Sequence, residues 1–118
     1  MGFVFEDLRV YRRAESTLVL VYRVVAALPR AERYNLAEQL RRAALSVALN
    51  IAESTERRGA DAAHFVRVAL GSLVEVVACL RIAQRHGYPV DPDLLHHTRA
   101  EYESLYRQLH AYRRKLFP

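Results

Sequence analysis

Residues 35–57 read NLAEQLRRAALSVALNIAESTER and residues 61–86 read DAAHFVRVALGSLVEVVACLRIAQRH, with Arg58, Gly59 and Ala60 between them. In the first stretch Leu36, Leu40, Ala43, Val47 and Ile51 recur at intervals of three and four, the spacing that lines one face of an α-helix. In the second, Phe65, Ala69, Ser72, Leu73, Val76, Leu80 and Ala83 do the same. Asn35 stands where an N-cap is wanted, Gly59 interrupts the pattern, and the second helix opens near Asp61. Helices joined by so short a turn lie antiparallel, and residues whose numbers sum to about 118 then face each other. Gly71 and Ser72 therefore meet Ser46 and Val47. The small residues Ala43, Ala44, Ser46, Ala48, Gly71 and Ser72 let the two backbones approach closely. Such packing offsets the cost of about 1 kcal/mol that a mid-helix glycine carries against alanine.

Outward from this hairpin, two further helices are predicted. One runs over residues 6–28, with Leu8, Tyr11, Leu18, Tyr22 and Val25 as its stripe and Pro29 as its stop. His86-Gly87 followed by Tyr88-Pro89 closes the third helix. The last then runs over 92–115, capped by Asp91 or Asp93. Its stripe is Leu95, Thr98, Tyr102, Leu105, Leu109, Tyr112 and Leu116. Tyr11, Tyr22, Tyr102 and Tyr112 read as core. With helices at about 6–28, 35–57, 61–86 and 92–115, the 118 residues form one all-α domain, an antiparallel up-down-up-down four-helix bundle. Leu45 and Leu49 lie off the stripe of the second helix, and Val66, Leu70, Val74 and Val77 off that of the third. A bundle buries about one face of each helix, so these second faces call for another copy of the chain, as a dimer or closed ring.

Composition narrows the setting. No apolar run approaches the roughly 18–20 residues that cross a bilayer, and the start MGFVFEDLRVYRR has no signal-peptide order. A single cysteine, Cys79, excludes an internal disulfide and suits a reducing cytoplasm. The net charge is +5 and the pI near 9.8, and the cations are arginines except for Lys115. Such a balance suits nucleic acid or an acidic partner. Arg9, Arg12 and Arg13 on the first helix, Arg57-Arg58 in the hairpin turn, and Arg113-Arg114-Lys115 at the end all fall at one end of an up-down bundle. They are the candidate phosphate contacts. Glu6, Asp7, Glu53, Glu56 and Asp61 share that end, and basic residues closing helices also complement the helix dipoles.

Catalytic and metal patterns are absent from the sequence. A di-iron bundle needs Glu-x-x-His on two helices, and no glutamate here has a histidine three residues later. No glycine-rich phosphate loop is present, and no metal or cofactor is expected. Arg81–His86 and Arg58–His64 match the Arg-x(4–6)-His motif of helical ribonucleases resembling the HEPN superfamily. Ile82 and Gly59, however, follow the arginines where that pattern favours a polar residue. Cys79, among Val77, Ala78 and Leu80, reads as an inert packed residue. Glu75 between Val74 and Val76 needs a partner. Arg41, Arg42, Ser46 and Asn50 are in reach, so Arg42, Ser46, Asn50, Ser72 and Glu75 form an expected structural polar core.

With these residues in place, the chain resembles the small four-helix-bundle family first noticed as products of intervening sequences in bacterial 23S rRNA genes. The resemblance rests on Phe5-Glu6-Asp7-Leu8 with Val10-Tyr11, Leu28-Pro29, Glu32-Arg33-Tyr34, Gln39-Leu40-Arg41-Arg42-Ala43-Ala44 with Ser46, and Asn50-Ile51-Ala52-Glu53. It continues through Phe65, Ala69-Leu70-Gly71-Ser72-Leu73, Glu75 and Gly87-Tyr88, spanning residues 5–88. Tyr11 stands where the family usually has Trp, Ser54 where it has Gly, and Glu75-Val76-Val77 where it has Glu-Leu-Glu. The last departure removes an acid from the third helix.

The resemblance implies a homopentameric ring without enzymatic activity. It also implies kinship with accessory proteins of diversity-generating retroelements, which bind RNA and a reverse transcriptase through basic surfaces. The expectation is therefore a non-enzymatic homo-oligomer that binds RNA. The alternatives are a protein-interaction module without nucleic acid and a HEPN-like ribonuclease.

Overall fold

The structure, a computed structural model, describes residues 2–118, and within them lie four α-helices: α1 (Arg9–Ala27), α2 (Leu36–Ser54), α3 (Gly59–Arg85) and α4 (Pro92–Leu116). Each helix packs on two neighbours, in the order α1–α2, α2–α3, α3–α4 and α4–α1, and the α2–α3 seam is the most extensive. The arrangement is the antiparallel four-helix bundle expected. At 1.5 Å per residue, the 27 residues of α3 account for nearly all of the molecule's 42 Å long axis. No helix among the described residues is long and apolar enough to cross a membrane.

The predicted stripes of α2 and α4 lie inside: Leu36, Leu40, Ala43, Val47 and Ile51 on one, and Leu95, Thr98, Tyr102, Leu105 and Leu109 on the other, are all buried. Tyr112 and Leu116, at the far end of α4, are half-buried. On α3 the buried arc is wider than its main stripe. Val66 and Leu70 are buried and Val77 packs against the core, so the bundle itself absorbs these three.

The stripe of α1 is a correction. The residues facing inward are Val10, Ala14, Thr17, Val21 and Val24, whereas Leu8, Tyr11, Leu18 and Val25 only edge the core and Tyr22 is 42% exposed. Two apolar rows run side by side on this helix, and periodicity does not distinguish them. The smaller row goes inside, where the fully buried Tyr102 of α4 fills the space, while the tyrosines keep their hydroxyls at the rim. Tyr11 donates its hydroxyl to Glu15 at 3.0 Å.

Helix ends differ from expectation for local reasons. Val4–Asp7 form a 3-10 turn and Leu8 is extended (φ −78°, ψ 123°), so α1 begins at Arg9. Arg12 holds this turn against the helix, donating to the Glu6 carbonyl at 2.7 Å and pairing with Asp7 at 3.1 Å. At the other end of the hairpin, α2 stops at Ser54, because Ser54 and Thr55 hydroxyls donate to the Ile51 and Ala52 carbonyls at 2.6 and 2.7 Å. Such bonds compete with helix continuation. Gly59, at φ +53°, lets α3 begin two residues ahead of Asp61.

Asn35 occupies the N-cap position of α2 but makes no capping bond. Glu32 caps instead, accepting from the Leu36 N–H at 3.1 Å and from Asn35 Nδ2 at 3.0 Å. Asp91 caps α4 as expected, accepting from the Asp93 N–H at 3.0 Å. Past α3, Gly87 at φ +65° completes a Schellman turn: its N–H donates to the Gln84 carbonyl and that of Tyr88 to the Ala83 carbonyl.

Candidate functional site

The hairpin register is as the sequence predicts. Ser46 Oγ and Ser72 Oγ lie 2.7 Å apart across the α2–α3 seam, and Asn50 Nδ2 donates to the Ser46 carbonyl at 2.9 Å and to its hydroxyl at 3.0 Å. These three side chains form a half-buried polar strip rather than a core. Arg42 and Glu75 do not join it. Glu75 is exposed, and among the described residues it makes no ion pair or hydrogen bond. Arg42 points to solvent and reaches only Glu38, at 3.8 Å. The expectation failed because Glu75 projects outward into water, which solvates the carboxylate without a partner.

Gly71 is also outward. A Cβ added there would meet nothing within 4 Å, so its missing side chain is not what brings α2 and α3 together. Half-buried Ser46 and Ser72, with their hydroxyls 2.7 Å apart, mark the close approach. Around the strip, exposed apolar side chains alternate with charged ones such as Arg42 and Glu75. Leu49 is 62% exposed, and Leu45, Val68 and Ile82 are also exposed. On the α4 side of α3, Val74 is 54% exposed beside Tyr106 and Arg107.

The candidate arginines are dispersed. Arg9, Arg12 and Arg13 line one shallow depression with Ser16 and Glu101. Arg13 pairs with Glu101 at 3.0 Å across the α1–α4 seam, and Arg12 is held by Asp7, which leaves Arg9 without an ion pair among the described residues. Arg57 is bound to Glu53 at 2.6 Å, lies 3.9 Å from Asp61 and sits over the Phe65 ring at 5.0 Å. Arg58 and Arg114 carry no ion pair among the described residues. Arg113 lines a separate depression with Arg67, Tyr106 and His110. Of the candidate arginines among the described residues, the α1 trio shares a surface hollow.

The remaining chemistry-bearing groups are quiet. Burial, and then Glu75, pushes the Cys79 thiol above its ordinary value, opposite to what a nucleophile needs. His86 Nδ1 lies 3.0 Å from the Ile82 carbonyl and its ring packs on Tyr88, while His64 packs on Phe65. Among the described residues no three His, Cys, Asp or Glu side chains gather as a metal site would require. Tyr102, fully buried beside Thr17, has a hydroxyl with no hydrogen-bond partner among the described residues, and burial pushes its pKa up to about 12.

A second grouping was missed in the sequence. Arg81 and Gln84 of α3 share a cavity with His96 and Arg99 of α4. Residue numbers on these helices sum to about 180 at each level, a register that the short Gly87–Val90 turn sets just as the turn between α2 and α3 sets that of their hairpin.

The molecule is thus a helical bundle whose outer α2–α3 surface mixes apolar side chains with a hydrogen-bonded polar strip and whose arginines lie at both ends. Residues 6–111 match the 23S rRNA-intervening sequence protein family, and the chain belongs to it. The match runs through α4 to Ala111, beyond the stretch in which individual family residues are legible. No curated protein matches the chain.

Proposed function

We propose that this protein is a non-enzymatic homo-oligomer, a pentamer as the family resemblance implies, that works in the cytoplasm and binds RNA through arginines on its outer surface. The observation that carries the reading is the outer face of α2 and α3, where Leu45, Leu49, Val68 and Ile82 stay exposed around Ser46, Asn50 and Ser72. Exposed apolar groups of this density, interleaved with polar groups that retain hydrogen-bonding capacity, suit a second copy of the same chain. Arg42, Glu38 and Glu75 on the same surface supply both charge signs for a self-complementary contact.

RNA is the partner that the +5 net charge favours. Arg9, Arg58 and Arg114, unpaired among the described residues, supply exposed guanidinium groups at one end of each subunit. Ring assembly multiplies these contacts by the number of copies, so individually weak sites act together.

Binding to a structured RNA should be measurable by gel shift at low salt and should weaken steeply as salt rises. Replacing Arg9, Arg12 and Arg13 together with glutamine should weaken it at least about tenfold and flatten the salt dependence. Failure of micromolar protein to shift the RNA at low salt would remove nucleic acid from the reading. Recovery of one stoichiometric protein partner, such as a reverse transcriptase, without nucleic acid would replace it with a protein-interaction role.

A further inference from the structure

A cavity of about 340 Å³ opens where the end of α3, the Gly87–Val90 turn and the start of α4 meet. Its floor is apolar: Leu80, Val90 and Leu95 are buried, and the Tyr88 ring forms part of the wall. The Tyr88 hydroxyl does not serve the cavity, because it donates to Glu32 at 2.8 Å. The rim is cationic and polar. Arg81 and Gln84 come from α3, and Arg99 and His96 face them from the matching levels of α4.

Among the described residues no acidic side chain lines this space. Arg99 reaches Glu103 only at 3.8 Å, and Arg81 makes no ion pair among the described residues. Asp91 is occupied capping α4, and Asp93 is exposed in its first turn. Two guanidinium groups facing one another over an apolar floor repel, and a ligand of opposite charge relieves that repulsion. The start of α4, contributing Pro92 and Leu95, adds the favourable end of a helix dipole.

We propose that this cavity binds a phosphomonoester carrying a flat apolar body, the chemistry of a nucleoside monophosphate. Arg81 and Arg99 hold the phosphate, since paired guanidinium groups match a dianion better than a monocarboxylate. His96 and Gln84 supply further hydrogen bonds, and the ring lies against Tyr88 and Pro92, above the buried Leu80, Val90 and Leu95. The volume falls at the small end of ligand cavities, roughly 300–1,000 Å³, and suits a single nucleotide. The site lies at the opposite end of the bundle from Arg9, Arg12 and Arg13 and does not depend on the RNA reading.

Calorimetric titration of the intact protein with adenosine monophosphate, adenosine and inorganic phosphate tests this. The monophosphate should bind saturably, one per chain, and adenosine and phosphate should each bind at least about tenfold more weakly. Arg81→Gln and Arg99→Gln should each cost at least about tenfold, while Arg23→Gln, at an exposed position of α1 outside the cavity, should change nothing. Both rim arginines are solvent-accessible, so the unliganded variants should melt as the parent does, and the monophosphate should raise the parent's melting temperature but not theirs. The proposal is overturned if the monophosphate does not saturate, if both rim variants bind it as the parent does, or if phosphate alone binds equally well.

Discussion

Glu32 ties two loops together at one end of the bundle. Its carboxylate accepts from the Tyr88 hydroxyl at 2.8 Å, from the Leu36 N–H at 3.1 Å and from Asn35. The Tyr88 bond first, and then the Leu36 bond, hold its pKa below the ordinary 4.5, and the same contact raises that of Tyr88. A carboxyl group with a depressed folded-state pKa contributes stability above its unfolded value and loses it as pH falls through the folded one. Glu32→Gln should therefore unfold at lower denaturant than the parent at neutral pH, and the two curves should converge as pH drops below about 4.5. Denaturant midpoints across that range check this, and a gap that persists at low pH would contradict it. Nothing in the sequence disclosed the Glu32–Tyr88 link, since it joins residues 56 apart in two loops. Ser46–Ser72 was legible because a short turn sets the register of the helices on either side.

Among the elements, α3 shows where patterns inform and where they mislead. Its apolar residues cover more than one stripe because it packs on both α2 and α4, so Val66 and Leu70, off the main stripe, are core. The same breadth left Val74 outside. On α1 the ambiguity was one of phase: adjacent apolar rows differ by one residue, and only the size of Tyr102 opposite decides which enters. Caps were legible where a side chain bonds its own helix, as at Asp91, and illegible at Asn35, where Glu32 reaches forward instead.

Gly71 invites a direct test at this scale. Open space surrounds its missing Cβ in a helical position, so Gly71→Ala should stabilise the chain by about 0.5–1 kcal/mol through helix propensity. Equilibrium denaturation measures this, and a loss of stability would mean that another backbone packs against α3 at that point.

For the molecule as a whole, the bundle has a complete interior and an incomplete exterior. Four helices bury Tyr102, Leu40, Ile51, Leu73, Leu80, Leu105 and Leu109 almost fully, which is a sound core for one domain. Leu45, Leu49, Val68 and Ile82 nevertheless face water around the polar strip of the α2–α3 seam. The fold was legible almost throughout because it rests on period and breakers. The binding surfaces were less so, since ion pairs such as Arg13–Glu101 and Arg57–Glu53 consume arginines that a linear reading counts as available.

Mass in solution bears most directly on the assembly. Sedimentation equilibrium at micromolar concentration should give a single species at an integral multiple of 13.6 kDa, five on the reading above, and Leu49→Glu should shift it towards the single chain while leaving the helical content intact. A parent protein that stays at 13.6 kDa at the highest attainable concentration would contradict the account.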